Sequence, residues 1–188
     1  MKKSFVVVLL LLACVSLARS VQSPGGWVNY TSPEGRYRAS LPREPTLTSQ
    51  ESTAGTGEKF QQYLASVAQA DGRVFVIGYF DVIEGGTFSA ETARDAMVES
   101  FAGTLIDETA ISLGGLPGRD FKISLKLPGG QSAEGTKPVE VEYVDHARIY
   151  EIEKRIYILQ TLFPKALDNA ASAAQDTKFF DSFQVIKK

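Results

Sequence analysis

Only one histidine, His146, stands in the chain, with Asp145 immediately before it. A hydrolytic triad needs an imidazole held between a carboxylate and a nucleophile, and it is recognised by geometry more than by position. In an extended segment, neighbouring side chains point to opposite faces, so Asp145 and His146 do not form a dyad with each other. Another carboxylate could still reach the ring from a distant part of the chain. The sequence reading favours an ordinary surface or rim histidine. Glu140 and Glu142 share one strand face, and with Asp145 or Glu151 they form an oxygen-rich candidate site for calcium or manganese. Against that, a hard cation normally takes six or more oxygens, and Lys122 and Lys126 are at hand to neutralise a solvated face.

Two glycine-rich stretches carry further candidates. Gly130-Gln131-Ser132-Ala133-Glu134-Gly135-Thr136-Lys137 imitates a phosphate-binding loop. The motif requires Lys before Ser or Thr, and a helix after them. Here the order is reversed and Pro138 leads into a strand, so the nucleotide reading is set aside and no cofactor is expected. Gly114 to Asp120 reads either as a recognition loop with Arg119 as a protein-contact anchor, or as a tight corner whose glycines serve the backbone. The corner is the preferred reading.

The composition narrows the classes. Of 188 residues, 44% are hydrophobic and 22% charged, which fits one globular unit. A net charge of −2 argues against nucleic acid as a partner. One Cys and one His leave no stock for a zinc cluster or a disulfide framework. Met1-Lys2-Lys3, the apolar run Phe5 to Leu12 and the small residues up to Ala18 form a secretory signal pattern, too short to span a bilayer. Cleavage after Ser20 is the first reading, giving a leader over 1–20 and one domain over 21–188. The rival is a lipobox, Leu11-Leu12-Ala13-Cys14, which would make Cys14 a lipidation site and tether the protein to a membrane. Either way the protein is expected outside the cytoplasm, periplasmic or secreted, with no membrane span.

The elements that must position these residues follow from periodicity. Trp27 to Thr31 and Arg36 to Leu41 are predicted strands around the turn Ser32-Pro33-Glu34-Gly35. Thr46 to Glu58 is predicted as a loop or ragged edge strand. Lys59 to Gln69 fits a helix or a strand, and the strand is preferred because the turn Ala70-Asp71-Gly72-Arg73 leads from it into the clear strand Val74 to Val82. Ser89 caps a helix to about Gly103, with a stripe of Ala93, Met97, Phe101 and Leu105. A short strand Ile111 to Leu113 precedes the alternating Phe121 to Leu127. Pairing Leu127 with Val139 sets Lys126 opposite Glu140. Arg148 to Ile152 and Arg155 to Phe163 form a hairpin around Glu153-Lys154. A C-terminal helix, broken or whole, covers 167 to 182, and Phe183 to Ile186 returns as a strand. Hairpins dominate, so the fold class is α+β, a mostly antiparallel β-sheet flanked by helices.

Three segments stand in order: Ser32-Pro33-Glu34-Gly35-Arg36-Tyr37 running into Leu41-Pro42 and Pro45, Leu113-Gly114-Gly115-Leu116-Pro117-Gly118-Arg119-Asp120-Phe121, and Phe179-Phe180-Asp181-Ser182-Phe183. Together they resemble bacterial secreted proteins of the PsbP-like superfamily. The superfamily shares its fold with a eukaryotic Ran-binding nuclear-transport factor. The resemblance implies an α/β/α sandwich and, usually, no catalytic activity; the matching positions are structural, so it carries no site residue across. The resulting expectation is a non-enzymatic binding or assembly module of the bacterial cell envelope, working on an unidentified envelope protein. The runner-up is a periplasmic protein that binds a small ligand or a divalent metal.

Overall fold

The structure is a computed structural model and describes residues 26–54, 57–129 and 139–186. The expected leader with Cys14, and the loop resembling a phosphate-binding motif, lie outside the described residues. Among the described residues, ten strands and two α-helices follow in chain order. They are β1 (Val28–Ser32), β2 (Tyr37–Leu41), β3 (Thr46–Thr53), β4 (Lys59–Ala68), β5 (Val74–Asp81), α1 (Ala90–Ser100), β6 (Thr104–Leu113), β7 (Leu116–Gly129), β8 (Val139–Ile152), β9 (Arg155–Pro164), α2 (Ala170–Asp181) and β10 (Gln184–Val185). Seven strands pair in the order β3-β4-β5-β9-β8-β7-β6, and a small sheet pairs as β1-β2-β10. Every pairing is antiparallel. The fold is therefore α+β and mostly antiparallel sheet. Among the described residues no helix is long and apolar enough to cross a membrane.

β9 lies at the centre, and its sequence says why. The run Ile156 to Thr161 is buried without a break, as a strand covered on both faces must be. Its alternate residues enter different cores. Ile156 and Ile158 join Phe80, Phe121, Ile123, Ala147 and Ile149 beneath Ala93 and Met97 of α1. Tyr157 and Leu159 join Phe75, Ile77 and Tyr150, with Tyr37, Ala39 and Leu41 of β2 and Phe179 and Phe180 of α2. β2 and α2 thus pack into one core cluster, and α1 into the other.

Two local expectations, the start of β6 and the β7–β8 register, need correction, while the glycine corner and the C-terminal helix fall within the readings given. β6 starts at Thr104 and runs for ten residues, so Leu105 is an exposed strand residue and no part of the α1 stripe. The glycine corner is a two-residue turn, with Gly114 and Gly115 at φ 59° and 85°, which places Arg119 inside β7. β8 is one continuous strand through Asp145 and His146. Its register on β7 sets Leu127 against Val141 and Lys126 against Glu142, two residues from the expected pairing. The C-terminal helix is unbroken, capped by Asn169, whose side chain accepts from the Ala171 and Ser172 amides.

Gly35 shows how tightly the small sheet is seated. A Cβ there would stand 2.5 Å from the Tyr37 ring, which is 1% exposed. Its carbonyl accepts a hydrogen bond from the Tyr157 hydroxyl at 2.9 Å. Gly35→Ala must push that ring into a filled core, at a cost of about 1–3 kcal/mol. Urea titration should read this as a lower midpoint with an unchanged slope.

Candidate functional site

His146 does not lie on the rim. Its side chain is 12% exposed and is wedged between the sheet and α2. The buried stripe of α2 is Ser172, Asp176, Phe179 and Phe180, one face at helical spacing with a polar half and an aromatic half. Asp176 presents one carboxylate oxygen to His146 Nδ1 at 3.2 Å, while Arg73 Nη1 donates to its other oxygen at 3.0 Å. On the far side of the imidazole, Nε2 stands 2.8 Å from Asp120 Oδ1. Arg148 donates to the other Asp120 oxygen at 2.6 Å and to Asp181 at 3.1 Å. Arg73 is 1% exposed; it also donates to the Ser172 hydroxyl and lies 4.3 Å from the centre of the Phe163 ring.

This geometry fixes the chemistry available to the ring. Each nitrogen meets a carboxylate oxygen, so both bonds form together only when both nitrogens carry protons. Burial disfavours the charged ring, but the Asp120 and Asp176 hydrogen bonds outweigh it and hold the imidazole above its ordinary pKa. Burial likewise acts to raise Asp120, while His146 and Arg148 bring it below the usual carboxylate range. A ring so held has no free lone pair for a general base. The Ser172 hydroxyl donates to the Leu167 carbonyl and accepts from Arg73. The cluster ties α2 to β7, β8 and the start of β5.

The other sequence candidates are not brought together. Glu140 stands 3.8 Å from Lys126, and Glu142 accepts from Lys165 at 2.8 Å. Asp145 points to the opposite face and is 1% exposed. Gln160 donates to its Oδ2 at 3.1 Å, and its other oxygen has no partner among the described residues. Burial pushes this carboxyl up to about 7, against the pull of the Gln160 hydrogen bond. Among the described residues, no three His, Cys, Asp or Glu side chains are arranged to hold a metal ion. Arg119 donates to Glu91 and stands 3.9 Å from Glu108, so it links β7 to α1 and β6. Its hydrogen bond is the chief cause that lowers Glu91 to about 2.

What the sequence reading missed is a groove between the small sheet and the β3 edge of the large one. It encloses about 450 Å³ and is lined by Tyr30 and Glu34 from the first hairpin, Leu47 from β3, and Tyr63 and Tyr79 from β4 and β5. Leu47 is 61% exposed and Tyr63 40%. Tyr63 stacks on Tyr79 with ring centres 5.0 Å apart. The signal was present: an edge strand carrying Leu47 beside an alternating Tyr63. The periodicity of one strand does not say which second sheet will stand over it.

Compared with known proteins, the chain matches no protein-family model and no curated relative.

Proposed function

We propose that the chain is a non-enzymatic binding or assembly module of the bacterial cell envelope, built as an α/β/α sandwich of the PsbP-like kind. The observation that carries this reading is the tyrosine groove beside the open β3 edge. There exposed Leu47 and Tyr63 stand beside a strand edge that pairs with no further strand among the described residues. The imidazole, by contrast, is occupied on both nitrogens inside the fold, which supports contact over catalysis. The signal-like residues 1–20 support an extracytoplasmic setting, periplasmic or secreted.

A photo-crosslinking residue at Leu47, compared with one at Glu99 on α1, tests the reading in whole cells. Capture of one defined envelope protein from Leu47 and not from Glu99 is the expected result. Equal capture from both positions, or none from either, overturns it.

A further inference from the structure

The two edges of the seven-stranded sheet are built differently. β6 carries an irregularity between Leu105 and Asp107, and an exposed acidic side chain at Asp107. Bulges and charges of this kind are how proteins discourage a further strand. β3 has neither device. Its eight residues, Thr46 to Thr53, pair with β4 in unbroken register and contain no proline. Their one charge, Glu51, is held by Lys59 at 2.6 Å. An unblunted edge offers alternating amides and carbonyls that another extended backbone satisfies, the mode of strand addition.

Side-chain chemistry beside that edge selects the sign of the incoming strand. Among the groove's lining residues Glu34 alone is charged, and its carboxylate makes no ion pair among the described residues. Tyr30 and Tyr63 add ring faces, which attract cations. The same surface already uses that attraction internally, with Arg155 4.9 Å from the Tyr79 ring centre. Leu47 and Ser49 stand on the groove side of β3, and Ser49 pairs directly with Tyr63. A small residue there leaves the path from the open edge to the ring clear. We infer that the β3 edge and the groove receive an extended polypeptide strand carrying lysine or arginine at alternate positions. The backbone of this strand pairs with β3 while its cations reach Tyr63 and Glu34. This inference rests on the binding-module reading and names its partner's chemistry.

The test titrates the full chain with a synthetic peptide alternating Lys with Val. A twin with Glu in place of Lys and a twin N-methylated at alternate backbone amides serve as comparisons. The basic peptide should bind at least about tenfold more tightly than the acidic twin, and N-methylation should abolish binding. Glu34→Gln and Tyr63→Ala should each weaken binding by about threefold to tenfold, while Tyr63→Phe, which keeps the ring, should not. No binding of the basic peptide, or equal binding of either twin, overturns the proposal. So does a concentration-dependent dimer dissolved by Leu47→Asp, which would assign the edge to a second copy of this chain. If Leu47 still captures a defined partner in cells while the basic peptide fails, only the occupant is wrong. If both fail, the binding reading falls with it.

Discussion

Asp176→Asn should lower the free energy of unfolding by about 3–5 kcal/mol, the cost of breaking a buried ion pair from one side. The reason lies in Arg73. Its guanidinium is 1% exposed, bonded to Asp176 and Ser172 and set against the Phe163 ring. The substituted amide would leave that cation with neutral partners alone, and the imidazolium would lose one of its two carboxylates. Urea titration at neutral pH should show a large fall in the midpoint. Arg73→Met combined with Asp176→Leu should recover part of the loss, because it removes both charges from the interior. Asp181→Asn, on an exposed partner of Arg148, should cost no more than about 1 kcal/mol. A loss at Asp176 as small as at Asp181 would mean that the cluster does not hold α2 to the sheet.

The sequence made much of the sheet legible, because its central strands are either continuously apolar or cleanly alternating. β5 and β9 follow from that pattern, whereas β4 fits a helix as well and is decided as a strand by the Asp71-Gly72 turn that joins it to β5. β6 did not, since an edge strand exposed on both sides carries no alternation to read. The β7–β8 register was missed by two residues because a glycine-rich connection does not dictate where pairing starts. Alternation was right about Asp145 and His146, which do point to opposite faces. It could not find the ring's partners: Asp176 is 30 residues from His146 and Asp120 is 26. One clue was available in α2. Ser172 and Asp176 continue the stripe of Phe179 and Phe180 at helical spacing, so two polar residues had to face the core and find charge there.

Asp145 yields the second large effect, and its sign is opposite to that of Asp176. Burial raises this carboxyl from 3.8 to about 7. Between those values the unfolded chain ionises Asp145 while the folded chain does not. Its favourable contribution is therefore complete below 3.8 and is lost as pH rises through about 7. A carboxamide at this position cannot ionise and can still accept the Gln160 hydrogen bond. Asp145→Asn should therefore match the parent protein near the ordinary carboxylate pKa and exceed it well above pH 7, by on the order of 4 kcal/mol. His146 titrates in the same direction at a later stage. Its pKa is raised from 6.5, so its contribution is whole below that value and disappears as pH rises through the folded one. Asp120, with a lowered pKa, acts at the acid end: its contribution holds above 3.8 and fades as pH falls through the folded value. Urea midpoints measured across this range separate the groups. The Asp145→Asn variant should remove the decline that begins near the carboxylate range and leave the one that begins above 6.5. Equal gains at both ends of the range would trace the effect to packing, and no gain in alkali would mean that Asp145 ionises freely in the folded protein.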